Sequence, residues 1–383
     1  MIKVAMIVRS TIFSSRGGDS VQVLQTAEGL INHDICADIR LTNEKIIYKD
    51  YDLLHFFNLT RPADILYHLK NSGLPFVVST ILIDYAEYDR YHRKGLSGLI
   101  FRHLRPDSIE YLKVLARWVT GNERIMRFNY LLKGQHRSIR NILNKADLLL
   151  PNSASELNRL KAKYEFRKDY VIVPNGVNGN MFRFNKDLKK DPKLILCVAR
   201  IEGIKNQLNL IRAMNHTDFQ LVIIGNRAAN QKSYFDNCRA EAAKNIRFID
   251  AMPQEDLISY YQKAKVHVLP SWFETTGLSS LESASMGCNI VVTDRGDTRE
   301  YFGNHAHYCT PESPESIYAA VKKASVAPFD ELFRQKIAKE YTWQKASAQT
   351  AQGYYKIINK IWNLKSPFSE PEVFPIITAD LNT

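Results

Sequence analysis

The sequence predicts an α/β protein made of two doubly wound, Rossmann-like domains. Three observations carry that expectation. The chain has 383 residues, more than one ordinary core holds and enough for two domains of about 150–200 residues. Short apolar runs alternate with helix-forming stretches, first from the N-terminus and again, more regularly, in the second half. That alternation is the pattern of a parallel sheet covered by helices on both faces. Between the two series stands Pro174-Asn175-Gly176, turn chemistry suited to a domain connection. The expected division is 1–173, 174–345, and a closing helix with an irregular tail over 346–383.

The first series opens with KVAMIVR, a buried strand. A loop with Gly17-Gly18 follows, then VQVLQTAEGLI at helical spacing. ICADIRL, YDLLHFF and LPFVVST read as the next strands. After Asp84 the rhythm breaks into long basic stretches with interleaved aromatic residues, up to RIMRFNYLLKGQHRSIRNIL. ADLLLPNS and VIVPNGV then give two more strands. The second series is KLILCVAR, FQLVIIG, NIRFID, KVHVLPS, CNIVVTD and HAHYCTP, each followed by a helix. WQKASAQTAQGYYKIINKIW is the closing helix, and the tail beyond it carries three prolines.

Hydrophobic content of 45% and charged content of 24% are ordinary for a soluble globular protein. No apolar run reaches the roughly 18 residues of a membrane-spanning helix. The apolar start lacks the long core and cleavage site of a signal peptide. Five cysteines without a CxxC pair suit a reducing compartment, with no disulfide framework or zinc site. The expected location is cytoplasmic. The net charge is +12, and residues 86–145 hold 13 Lys and Arg against 5 Asp and Glu, so most of the excess sits there. Such a patch calls for an anionic partner: a membrane surface, a nucleic acid or an acidic substrate. No nucleic-acid-binding motif accompanies it, so nucleic acid is not expected.

Ligands of such sheets bind at the carboxyl ends of the strands. Arg200 and Lys205 follow KLILCVA, and Gly225 ends LVIIG. An arginine fork and a lysine point charge suit a diphosphate; standing alone, they would equally suit solvated cations at a helix start. After KVHVLPS comes SWFETTGLSSLESASMGC, with Glu274 and Glu282 eight positions apart. A helix is expected from Thr276–Gly277 through Ala284, with Gly277 allowing close backbone approach. The N–H groups of Thr276, Gly277 and Leu278 would form an anion site at its positive end. Each carboxylate can hold a pair of hydroxyls. Two such acids around a phosphate cradle describe a nucleotide sugar, with hexose at Glu274 and ribose at Glu282. The simpler alternative is a loop charge and an exposed helix residue.

ARIEGIKNQ, VIIGNR and SWFETTGLSSLESASMGCNIVVTDRGDTREYF resemble the family-4 retaining glycosyltransferases, of the GT-B fold, in which two such domains face across a cleft. The E-x7-E pair, the NGV at 175–177, the Gly17-Gly18 loop and the closing helix share in the resemblance. It implies transfer of a hexose from a nucleotide-diphosphate sugar, with retention and without a metal cofactor. Arg200 and Lys205 would bind the diphosphate and stabilise it as it leaves, and Glu274 would hold the hexose. Backbone over Thr275, Thr276, Gly277 and Leu278 would contact sugar and phosphate. The base would lie near Ala251–Pro253, and Gly17-Gly18 would approach the diphosphate across the cleft. Many relatives carry a histidine after the strand matching LPFVVST. Here Leu82 or Ile83 occupies that place and only Asp84 is kept, so His55, Asn58 and Asp84 are the acceptor-side candidates.

The acceptor expected is a glycan or a lipid-linked precursor, in cell-surface polysaccharide biosynthesis. Residues 86–145 would dock the protein on the anionic inner face of the plasma membrane. Two alternatives stay open: a non-catalytic sugar-nucleotide or polyanion binder, and a sugar-nucleotide epimerase of the same fold.

Overall fold

The computed structural model describes residues 1–85, 87–89, 108, 109, 111–114 and 129–365, apart from the side chains of 129, 131, 132 and 361–365. Much of the basic segment at 86–145 and the tail after 365 therefore lie outside the described residues. Two all-parallel sheets organise the chain. The first contains β1 (Ile2–Val8), β2 (Ile35–Leu41), β3 (Leu53–Phe57), β4 (Phe76–Ser79) and β5 (Leu148–Leu150), in the order β2-β1-β3-β4-β5. The second contains β6 (Asp191–Val198), β7 (Gln220–Ile224), β8 (Ile246–Ile249), β9 (Ala264–Leu269), β10 (Asn289–Thr293) and β11 (Ala306–Cys309), in the order β11-β10-β9-β6-β7-β8. β1, β3, β4, β5, β9 and β10 are almost wholly buried, as strands covered on both faces must be. The strand order reverses beside β1 in one sheet and beside β6 in the other, and ligand crevices form at such points.

The helices of the first domain are α1 (Gly18–Leu30), α2 (Pro62–Ser72), α3 (Asn129–Lys145) and α4 (Ala154–Tyr164). Ser153 caps α4, its hydroxyl accepting from the Glu156 N–H at 2.9 Å. The expected strand VIVPNGV is not a regular strand. Val171 and Val173 bond to the Leu149 and Pro151 carbonyls, but Pro174 has no N–H to extend the ladder.

In the second domain follow α5 (Gln207–Met214), α6 (Lys232–Glu241), α7 (Gln254–Lys263), α8 (Leu278–Ser285), α9 (Thr298–Phe302), α10 (Pro314–Val326) and α11 (Glu331–Glu340). The chain passes between the domains twice, and the two crossings touch. Val177 N–H bonds to Tyr341 O at 2.9 Å, and Val177 pairs with Thr342.

The last helix, α12 (Trp343–Lys365), returns to the first domain. Trp343, Ala346, Ala351, Tyr354, Ile357 and Ile358 join one core cluster with β1, α1 and β5. Among the described residues no helix is long and apolar enough to cross a membrane.

His55 belongs to this packing. It is fully buried, with Nδ1 2.6 Å from Tyr354 Oη and Nε2 2.9 Å from Ser79 Oγ. Burial lowers its pKa to about 3, so the ring is neutral at physiological pH. The acceptor-side role expected for His55 is thereby corrected: it fastens α12 to the first sheet.

Candidate functional site

The second domain's crevice lies beyond β6 and β9, whose neighbouring places in the sheet bring two distant segments together. Lys205 follows β6 in a short 3-10 turn, and Glu274 follows β9. The Lys205 ammonium donates to Glu274 Oε2 at 2.7 Å, and Ser271 Oγ donates to the same oxygen at 3.1 Å. Glu274 is buried and Lys205 half-buried. An ammonium carries three donors, so Lys205 can keep this partner and still meet a second anion. Arg200 Nη2 pairs with Glu202 at 3.0 Å. Burial acts to lower the Arg200 pKa, but Glu202, Tyr85 and Asp19 outweigh it and hold the guanidinium above its usual value.

Gly277 takes the left-handed conformation, φ 69°, and opens α8. The helix starts at Leu278, slightly later than expected. Ser280 and Leu281 N–H bond back to the Gly277 carbonyl, which leaves Leu278 and Ser279 as first-turn donors without an acceptor in their own helix. Thr276 is buried and its Oγ1 accepts from Asn175 Nδ2 at 3.0 Å, while Thr275 beside it is half-buried. Gly225 has φ 152°, and a β-carbon there would lie 2.0 Å from the Ala199 carbonyl oxygen. Close approach of β7's end to the chain after β6 accounts for that glycine.

Across the cleft stands the first turn of α1. A β-carbon on Gly17 would lie 3.7 Å from Arg200 Cζ, and one on Gly18 would lie 3.5 Å from Leu278 Cδ1. Two helix N-termini, Arg200 and Lys205 thus converge on one gap, an arrangement suited to an anion.

Glu282 lies inside α8 and is buried. Gln254 Nε2 donates to its Oε1 at 2.6 Å, and Tyr261 Oη to its Oε2 at 3.1 Å. Burial raises its pKa to about 7 despite both donors. Each oxygen still has room for a further hydrogen bond. The reading of Glu282 as an exposed helix residue does not hold.

The first domain's own crevice is a narrow cleft lined by Arg9, Asp19, Asn58, Arg61 and Asp64 among others. Arg9 Nε donates to Asp19 Oδ2 at 2.6 Å. Asn58 has φ 72° and folds its side chain back onto Thr60. Asp84 is exposed on the loop after β4 and does not line this cleft. Of the acceptor-side candidates, Asn58 alone lies in it. Sequence reasoning missed Arg9 and Asp19 here, and Ser271, Gln254 and Tyr261 across the cleft. Only Gln254 carried a signal, being next to the loop expected to hold the base.

Residues 180–340 match the family described as glycosyl transferases group 1. That domain belongs to the group, and the two facing parallel-sheet domains form the GT-B fold. The chain is 27% identical over 178 residues to D-inositol 3-phosphate glycosyltransferase of Corynebacterium diphtheriae, covering 40% of this chain and 42% of that protein. It is 25% identical over 228 residues to glycogen synthase of Mycobacterium tuberculosis, covering 56% and 55%. The chain thus spans about half the length of the curated relatives it matches. Among solved structures, sucrose-phosphate synthase from Thermosynechococcus elongatus superposes with a TM-score of 0.72 at 16% identity, over 94% of this chain and 100% of that one. HepE from Anabaena, in complex with UDP and glucose, gives 0.60 at 14% identity, over 96% and 100%.

Proposed function

We propose that the protein is a retaining glycosyltransferase, moving a hexose from a nucleotide-diphosphate sugar to a glycan or lipid-linked acceptor in cell-surface polysaccharide biosynthesis. The observation that carries this reading is the Lys205–Glu274 pair beside Arg200 and the open first turn of α8, with Gly17-Gly18 opposite. The diphosphate lies in the gap between the two helix N-termini. Glu274 receives the hexose hydroxyls and Glu282 the ribose. The solved HepE complexes with UDP-glucose, in a protein of the same fold, support a nucleotide sugar as co-substrate.

The bond from the anomeric carbon to the diphosphate oxygen breaks, and one from the acceptor oxygen forms on the same face. The acceptor's proton leaves with the diphosphate. Arg200, Lys205 and the first-turn N–H groups take up the negative charge that develops on the leaving group, so no metal is required for that task. The acceptor enters over the first-domain cleft with Arg9, Asp19 and Asn58. Docking on anionic lipid through residues 86–145 is supported by the exposed Lys133, Arg137, Arg140 and Lys145 along α3.

The test is a thermal-shift screen of nucleoside diphosphates, followed by donor hydrolysis. Glu274→Ala and Lys205→Ala are each expected to lower turnover about 100-fold or more. Wild-type turnover in both variants would refute the assigned roles.

A further inference from the structure

Arg159 lies on α4 of the first domain and has no part in the donor or acceptor contacts assigned above. It nevertheless reaches the loop that carries Glu274 by two contacts, one to Phe273 on that loop and one to Asp297 on the neighbouring loop after β10. Its Nη1 and Nη2 donate to Oδ1 and Oδ2 of Asp297, at 2.5 and 3.1 Å. Its Cζ lies 5.1 Å from the centre of the Phe273 ring, the residue before Glu274. Asp297 is fully buried and also accepts from Ser155 Oγ at 2.7 Å.

From Asp297 the connection to Glu274 is by backbone. The Asp297 N–H donates to the Glu274 carbonyl at 2.9 Å, and Gly296 pairs with Glu274 as an isolated parallel bridge. Gly296 has φ 80°, and a β-carbon there would lie 2.0 Å from that same carbonyl oxygen. The two chains are as close as backbone allows, so a shift of Asp297 moves Glu274. Glu300 holds the first-domain side, accepting from the Ala154 and Ser155 N–H groups at 2.7 and 2.8 Å.

We propose that Arg159 is a positioning residue for the donor hexose: through Asp297 and Phe273 it holds Glu274 where it reads the sugar, and only while the first domain is docked on the second. The inference rests on the assignment of Glu274 to the hexose. It predicts a separation that a merely structural role would not produce. Contacts to the diphosphate and base stay intact without Arg159, while contacts to the sugar do not.

The experiment compares UDP with UDP-glucose, and GDP with GDP-mannose, by calorimetry and by donor hydrolysis. Wild type is expected to bind one nucleotide sugar with an affinity distinct from that of its diphosphate. Arg159→Met should leave the diphosphate affinity within about twofold, erase the hexose-dependent difference and lower turnover about 10- to 100-fold. Asp297→Asn should act in the same direction, and the double variant should be no worse than the poorer single one. Arg159→Lys keeps the charge without the fork and should fall between. It carries the comparison if Arg159→Met does not fold.

An unchanged hexose difference and unchanged turnover in folded Arg159→Met or Arg159→Lys would overturn the proposal. So would equal loss of diphosphate and sugar binding together with a lower melting temperature. If wild type binds neither these pairs nor any other nucleoside diphosphate of the thermal-shift screen, the donor reading itself fails and the proposal goes with it.

Discussion

Glu282 shows how a single carboxylate can be both held and poised. Its pKa of about 7 lies above the ordinary value because burial penalises the charge more than Tyr261 and Gln254 favour it. For an acid raised in the folded state, the contribution to stability is full below the unfolded pKa of 4.5 and is lost as pH rises through about 7. Ribose hydroxyls bind best to the ionised form. Affinity for the nucleotide sugar should therefore rise about tenfold from pH 6 to pH 8. A nucleotide sugar has no phosphate proton to lose in that range, so the slope reports the protein. Glu282→Gln should flatten it, and should stabilise the fold more at pH 8 than at pH 5. The same slope in the variant would place the titration elsewhere. The carboxylate itself was legible from its spacing to Glu274. Its two donors were less so: Tyr261 is an ordinary residue of another helix, and Gln254 had only its place beside the loop expected to hold the base.

At the scale of elements, the second domain was legible because its strands are short apolar runs whose ends coincide with polar residues. Arg200, Lys205 and Glu274 needed only the rule for strand ends to fall on one edge. The closing helix was legible as a helix but not by its destination. What sends α12 back to the first sheet is long-range packing, and His55 is one of its anchors. In sequence that residue is a lone histidine at a strand end, and its partner Tyr354 is 299 residues away. Tyr354→Phe tests the anchor. It leaves a buried imidazole nitrogen without a partner, at an expected cost of about 1–3 kcal/mol in urea unfolding. His55 is neutral across the range, so that cost should be flat between pH 6.5 and 8. A loss under 0.3 kcal/mol, an order-of-magnitude limit for a surface change, would show that the pair does not fasten the helix.

At the scale of the whole molecule, the charge is divided by function. The cations at the cleft are paired: Lys205 with Glu274, Arg200 with Glu202 and Arg9 with Asp19. The excess lies elsewhere, and α3 displays part of it. Arg137 and Arg140, three apart, share one exposed face while Ile139, Ile142 and Leu143 are buried, and Lys133 is exposed just before the helix breaks at Gly134, φ 70°. Arg140 has an exposed partner in Glu165 at 3.7 Å, a separation at which water screens the pair and leaves it little net strength. A face of this kind is drawn to anionic lipid by about 1 kcal/mol for each cation near the surface, and the attraction weakens with salt. The protein should therefore float with vesicles containing phosphatidylserine in low salt, and release as ionic strength rises. The triple variant Lys133→Glu, Arg137→Glu, Arg140→Glu should stay with the soluble fraction and keep donor hydrolysis, because the three side chains are exposed and none of them lines the cleft. Flotation of the variant equal to wild type would assign docking to some other surface. No flotation of wild type at low salt would remove the membrane from the reading and leave the basic face to an acidic acceptor.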